Sequence, residues 1–193
     1  LNEGSEFIKI YIISGCAQSV TDSIVIKIRD SLSMTLSNGD TAFCLGGSIS
    51  TFGLIDSGLN VLWTPPAGIL DPTQINTVIT PTNFGTFYYT VTGTYKTCAP
   101  VVRGFQAKVD PIPLIMPIAD IELCEGTVMP INAVVNPQFN YNLTWNPNAD
   151  LINANGYNPT FVGTTSQDIV FTVTSPNAGC TASDTFHVQV WPF

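Results

Sequence analysis

The sequence predicts an all-β protein built from tandem β-sandwich modules, and three observations support this prediction. Strand-like segments alternate apolar and polar residues with a period of two, as at Phe87, Tyr89 and Val91. Turn signals such as Asn38-Gly39 and Asn155-Gly156 separate these segments at short intervals. No long stretch combines helical periodicity with a helix-forming composition.

The chain repeats itself at a spacing of about 80 residues, which is the strongest signal of modular organisation. The segment Trp63–Cys98 aligns without a gap on Trp145–Cys180, and the closing strand of each copy matches residues 22–28 as well. Short strands at this spacing favour Greek-key sandwiches of the immunoglobulin-like type. We therefore expect the closing strands of a truncated repeat at 1–30, one complete repeat at 31–110 and another at 111–193.

The two complete repeats are joined with almost no slack. The junction reads Asp110-Pro111-Ile112-Pro113. Proline fixes φ and favours extended backbone, so this junction should be stiff. The sequence therefore predicts that the modules stack as a rod.

Cysteine spacing predicts structural disulfides rather than metal or redox chemistry, because no Cys-x-x-Cys pair occurs. Each complete repeat has one early and one late cysteine. This order predicts bonds within repeats, Cys44 with Cys98 and Cys124 with Cys180. Cys16, the late cysteine of the truncated repeat, is expected to be unpaired or to find its partner outside this chain.

One tryptophan stands between the two cysteines of each complete repeat. The order Cys, Trp, Cys is typical of the core of immunoglobulin-like sandwiches. We therefore expect Trp63 and Trp145 to be core residues rather than sugar-stacking platforms.

Charge and hydropathy exclude some partners. The chain has 6 basic and 14 acidic residues and a net charge of −8, so it lacks the basic stripe that nucleic-acid binding needs. No apolar run is long enough to span a bilayer, and no membrane insertion is expected. The chain opens at Leu1 without a signal peptide, which favours a fragment or a processed product.

Catalytic and metal-binding patterns are weak, so no catalytic residue, cofactor or metal is expected. His187, the one histidine, falls on a strand with its side chain facing outward, and no nucleophile motif accompanies it. Asp110, Asp120 and Glu122 flank the junction and raise the question of calcium, which prefers oxygen ligands. No acidic calcium loop appears, and a plain acidic surface is the favoured interpretation.

Several short motifs resemble a known family. They are clearest in the last repeat: Cys124-Glu125-Gly126, Trp145-Asn146-Pro147, Asn158-Pro159-Thr160, Gly179-Cys180 and Ser183-Asp184-Thr185. This pattern resembles the PKD-like or Ig-like repeats of Bacteroidota surface proteins, above all SprB-like gliding-motility adhesins. The middle repeat departs from it, with Thr97 before Cys98 and Arg103-Gly104 in place of Asp-Thr.

The resemblance implies export through the type IX secretion system and display at the cell surface. Anchoring at the outer membrane would then depend on regions outside this chain. Three Asp-Ser/Thr-apolar triplets also resemble the O-glycosylation motif of Bacteroidota exported proteins, which makes Ser23, Ser31 and Thr41 candidate glycosylation sites.

The leading functional hypothesis is a non-enzymatic stalk or spacer segment of a large surface adhesin. Its expected partners are neighbouring repeats and, for the assembled protein, surface polysaccharide or the substratum. The alternative is a carbohydrate-binding or accessory module of a secreted Bacteroidota hydrolase. In that case outward aromatic residues would bind sugar, with Tyr88, Tyr95, Tyr141 and Tyr157 as the candidates.

Overall fold

The computed structural model describes residues 3–13, 19–29 and 31–192. Its first element is a hairpin of two long antiparallel strands, β1 (Glu3–Ile13) and β2 (Ser19–Arg29). Cys16 lies outside the described residues, and so does the side chain of Ser23.

The first sandwich contains eight strands. They are β3 (Met34–Leu36), β4 (Thr41–Cys44), β5 (Ile49–Ser50), β6 (Gly53–Ile55), β7 (Asn60–Thr64), β8 (Val78–Ile79), β9 (Gly85–Thr94) and β10 (Val101–Asp110). One sheet has the order β4-β10-β9-β7, and the pairs β3-β6 and β5-β8 form the opposite layer. Within the four-stranded sheet, β4 runs parallel to β10 while the other neighbours are antiparallel.

The second sandwich repeats this plan with nine strands. They are β11 (Leu114–Ile115), β12 (Ile121–Cys124), β13 (Val128–Pro130), β14 (Val135–Asn136), β15 (Asn142–Asn146), β16 (Leu151–Ile152), β17 (Thr160–Val162), β18 (Gln167–Thr174) and β19 (Thr181–Trp191). Its main sheet has the order β12-β19-β18-β15, and here β12 runs parallel to β19, as β4 does to β10. The opposite layer consists of β13-β17-β16 and β11-β14.

The all-β prediction is confirmed: the described residues contain strands and turns but no helix. In that part of the chain, therefore, no helix has the length and apolar character that crossing a membrane would require. The fold is that of tandem immunoglobulin-like sandwiches. The boundaries placed after residues 30 and 110 remain predictions.

Each sandwich has its own apolar core, and the alternation of the long strands builds it. In β9 the side chains of Tyr89 and Val91 are buried while the intervening Thr90 is exposed, as a pleated strand requires. In β18 the buried side chains are Ile169, Phe171 and Val173. The first core cluster and the second have no residue in common.

A tryptophan lies at the centre of each core. Trp63 is completely buried and packs edge-on against Phe105, with ring centroids 6.3 Å apart. Trp145 stacks on Phe171 at 4.1 Å. In both cores the indole N–H donates to a main-chain carbonyl, at 2.8 Å in the first and 3.0 Å in the second, so the buried donor is satisfied.

Replacing Trp63 by Ala should destabilise the first sandwich by about 3–5 kcal/mol, because the change leaves a cavity in a fully buried site. Leu54→Ala is the matched control, since that side chain is 78% exposed and its removal should cost less than about 0.5 kcal/mol. Urea unfolding followed by circular dichroism measures both. Equal losses in the two variants would contradict the placement of Trp63 at the centre of the core.

Candidate functional site

The most elaborate polar site in the described residues is the junction between the two sandwiches. It forms where β10 ends at Asp110 and meets the loop Ser175–Cys180, which connects β18 to β19. Cys44 lies at this place too, because the parallel pairing of β4 with β10 sets it opposite Asp110. Residues far apart in sequence are thus brought to one end of the first sandwich.

The carboxylate of Asp110 binds the loop of the second sandwich. Its Oδ2 accepts hydrogen bonds from the main-chain N–H groups of Asn177 and Ala178, both at 2.8 Å, and its Oδ1 accepts one from Asn177 Nδ2 at 2.9 Å. Asp110 is only 1% exposed. A buried carboxylate is tolerated when donors of this kind surround it, so the interaction depends on an accurately placed loop.

Burial acts to raise the pKa of Asp110, but hydrogen bonding outweighs it. The donors on Asn177, Ala178 and Ser175 stabilise the charged form, and the net result is a pKa below the usual aspartate value. At neutral pH the carboxylate is therefore ionised and fully hydrogen-bonded across the junction.

Hydrogen bonds within the loop hold these donors in position. Ser175 N–H donates to the carbonyl of Cys180, and Cys180 N–H donates to Ser175 Oγ, which closes the loop on itself. Gly179 has a φ of 71°, a left-handed conformation that L-residues with a side chain rarely adopt. The turn that presents Asn177 and Ala178 is thus fixed within the loop.

A disulfide covers the same junction. Cys44 and Cys180 are bonded, with their Cα atoms 5.8 Å apart and a sequence separation of 136. A cross-link that closes a loop of this length stabilises the folded chain by about 5 kcal/mol in the chain-entropy description. Phe84 and Phe139 make a further contact between the sandwiches, with ring centroids 6.0 Å apart.

This bond corrects the predicted pairing of Cys44 with Cys98 and of Cys124 with Cys180. Cys98 lies in the turn before β10, whereas Cys44 lies opposite the last residue of that 10-residue strand. A strand of this length separates its ends by about 30 Å, far beyond the roughly 4.4–6.8 Å that a disulfide allows between Cα atoms. Cys98 is exposed and has no disulfide partner among the described residues.

The second sandwich excludes an internal bond for the same reason. Cys124 pairs in register with Trp191, at the end of β19, while Cys180 immediately precedes the start of that 11-residue strand. Cys124 is exposed too, and it has no disulfide partner in the described part of the chain. The early and late cysteines of each sandwich are at opposite ends of it.

His187 belongs to an exposed cross-strand pair with Asp168. The two residues face each other in the register of β18 and β19, and Nδ1 lies 2.7 Å from Asp168 Oδ1. The hydrogen bond to Asp168 is the main reason that the pKa of His187 is raised. The side chains of His187 and Asp168 are 45% and 71% exposed.

Of the acidic residues considered for calcium, Asp120 and Glu122 lie beside the last residues of β19, remote from Asp110 at the junction. Asp120 Oδ1 accepts the main-chain N–H of His187 at 2.7 Å, and Asp40, its counterpart in the first sandwich, accepts that of Gln106 at 2.8 Å. Glu122 lies on β12. Among the described residues no group of three or more His, Cys, Asp or Glu side chains is placed to hold a metal ion.

The four tyrosines considered for sugar stacking differ in exposure. Tyr88 is 66% exposed, and its hydroxyl accepts a hydrogen bond from Gln106 Nε2 at 2.6 Å. Tyr141 is instead buried in the second core, which corrects the expectation that it faces outward. Its hydroxyl finds no hydrogen-bond partner among the residues that the structure describes. Tyr95 and Tyr157 are half-buried.

The candidate glycosylation residues differ in accessibility. Ser31 is exposed, while Thr41 is half-buried on β4. The aspartate before Thr41 is the one that binds Gln106, and its counterpart Asp120 has the same role although no hydroxyl residue follows it. The Asp40-Thr41 motif therefore has a structural explanation of its own.

Solved structures similar to this chain are immunoglobulin-domain proteins. An I-band fragment from titin matches with a TM-score of 0.55 at 11% identity, over 85% of this chain and 67% of that one. Sidekick-1 immunoglobulin domains 1–5 match with a TM-score of 0.55 at 13% identity, over 98% and 47%. The insect immune protein hemolin matches with a TM-score of 0.52 at 12% identity, over 96% and 56%.

This chain therefore spans about half the length of the Sidekick-1 and hemolin structures. At such identities the likeness concerns the fold. No family model matches the chain, and no curated protein matches it.

Replacing Asp110 by Ala should destabilise the protein at neutral pH by about 1.5–3 kcal/mol, because main-chain donors of Asn177 and Ala178 lose a charged acceptor. The folded-state pKa is lowered, so this contribution is present above the unfolded pKa and is lost as pH falls through the folded pKa. Urea unfolding at several pH values measures it.

Asp71→Ala is the control for Asp110, because in the described part of the chain that half-buried residue accepts its side-chain hydrogen bonds from Thr73 of its own loop alone. It should cause the smaller loss at neutral pH. If the difference in free energy of unfolding between wild type and the Asp110 variant stays constant as the pH falls, an ionised role for Asp110 is contradicted.

The pKa of His187 should be higher than that of an isolated histidine, and Asp168→Asn should lower it. Since the folded pKa is raised, any stabilisation from this pair is present below the unfolded pKa and is lost as pH rises through the folded pKa. Proton NMR follows this single imidazole directly. Asp56→Asn in the first sandwich is the control, and an identical titration in both variants would refute the pairing.

Proposed function

We propose that the chain is a structural stalk or spacer segment of a large bacterial cell-surface adhesin of the gliding-motility type. In this role residues 31–110 and 111–193 are complete repeats and residues 1–30 close a preceding one. The observation that carries the proposal is the junction, where a buried carboxylate and a disulfide both connect consecutive sandwiches. A spacer depends on such connections because its modules must keep their relative placement.

The remaining surface supports the same role. The His187 pair is open to solvent and lacks a neighbouring nucleophile motif, so we infer no catalytic function. The disulfide is suited to an oxidising extracellular environment. We infer that the segment is displayed at the cell surface after type IX export, with its outer-membrane anchor in other regions and with Ser31 as the accessible glycosylation candidate.

Carbohydrate binding is the alternative, and the exposure of Tyr88 is the observation in its favour. A sugar site normally needs several aromatic or polar groups that converge. The burial of Tyr141 removes one of the proposed stacking groups. The spacer is therefore the better-supported function.

Small-angle scattering of the oxidised protein should show an elongated particle, because the junction holds the sandwiches end to end in the proposed rod. A compact globule of 193 residues would have a radius of gyration of about 16 Å. A clearly larger value agrees with the rod, whereas a value of about 16 Å would contradict it.

A glycan array followed by calorimetry distinguishes the spacer from the carbohydrate-binding alternative. The spacer proposal expects no saturable binding by the purified chain. Micromolar binding to one glycan class that Tyr88→Ala abolishes, and that Tyr141→Phe in the core preserves, would replace the proposal with the alternative.

A further inference from the structure

Cys98 and Cys124 are the equivalents, in the other sandwich, of the two bonded cysteines. Cys98 lies in the turn between β9 and β10, where the second sandwich has Cys180 between β18 and β19. Cys124 faces the end of β19, where the first sandwich has Cys44 facing the end of β10. Each sandwich therefore has one cysteine at each end, and among the described residues only the two that meet at the junction are bonded.

The far end of the second sandwich has the same backbone construction as that junction. Glu125 N–H donates to the carbonyl of Trp191 at 2.9 Å, just as Leu45 N–H donates to the carbonyl of Asp110 at 2.8 Å. The two ends differ in what covers them. Asp110 is 1% exposed beneath the loop of the next sandwich, whereas Trp191, at the equivalent position, is 54% exposed.

We propose that Cys98 and Cys124 are the two halves of the same inter-sandwich disulfide, each awaiting a further sandwich of this kind. The hairpin-turn cysteine of each sandwich bonds the early cysteine of the sandwich before it, as Cys180 bonds Cys44. Cys124 then receives the hairpin turn of a following sandwich, and Trp191 is covered by that turn. Cys98 reaches the early cysteine of a preceding sandwich.

The partner is therefore a further sandwich that offers one of two features. It has either a hairpin turn that ends in cysteine or a strand end with an exposed cysteine. A second copy of this chain offers both, because Cys98 and Cys124 are exposed. In a head-to-tail arrangement, Cys98 of one copy would bond Cys124 of the other.

The bond forms by thiol–disulfide exchange and the electrons balance. The thiolate of Cys124 attacks oxidised glutathione, forms a mixed disulfide and releases one glutathione thiolate. The thiolate of Cys98 then attacks the mixed disulfide at the Cys124 sulfur and releases the second. One oxidised glutathione is thereby reduced to two thiols, and one protein disulfide forms.

The test uses two variants of the full chain, Cys98→Ser and Cys124→Ser, each made together with Cys16→Ser. Both changed positions within the described part are exposed, so folding should be preserved. One variant is isotopically labelled. Each is incubated alone and mixed with the other at high concentration in a glutathione redox buffer, then examined by non-reducing electrophoresis and peptide mapping.

The proposal expects each variant alone to remain monomeric and the mixture to yield a disulfide-linked dimer. In that dimer a peptide with Cys124 from one variant is joined to a peptide with Cys98 from the other. The Cys44–Cys180 peptide, expected in every sample, verifies that the buffer oxidises folded protein. The proposal is overturned if the mixture stays monomeric while that peptide forms, or if either variant alone dimerises as readily as the mixture.

Discussion

The buried carboxylate of Asp110 is the constraint on which the arrangement of the two sandwiches depends. It lies at the last position of β10, and its hydrogen bonds end on the loop of the next sandwich. An ionised group with almost no exposure is stable only while those donors stay in place. The junction is therefore held by a directional interaction, and the disulfide between Cys44 and Cys180 adds a covalent one.

The fold could be predicted from the sequence because its signals are local and occur repeatedly. The alternation around Tyr89 and around Phe171 predicts the long strands, and both residues lie in the cores. Trp63 and Trp145 recur at matching positions and fill matching core sites. Such patterns need no knowledge of which strands are neighbours.

The cysteine pairing was wrong because it depends on which strands are neighbours. Chain order shows that Cys44 is early and Cys98 late in a repeat, but not that β4 runs parallel to β10. That single pairing moves Cys44 to the end of the sandwich remote from Cys98. The length of β10 is the signal that could have excluded a bond within the repeat. The contact of Asp110 with Asn177 was missed for the same reason, since no local pattern connects them.

The covalent connection has a mechanical consequence for a spacer. When force is applied to both ends of the chain, it passes from Cys44 to Cys180 through the disulfide. The segment between these residues, which are separated by 136 positions, is therefore not extended while the bond is intact. Most of both cores lies within this protected segment. If disulfides of this kind also connect further sandwiches, each junction is protected in the same way.

Single-molecule force spectroscopy tests this protection most directly. The chain is pulled from its two ends, first oxidised and then after reduction. Reduction should release the 136 residues closed by the disulfide and add roughly 45 nm of contour length, at about 3.3 Å per residue. An oxidised chain that already extends to the reduced length would contradict the account that the two sandwiches are covalently clasped at their junction.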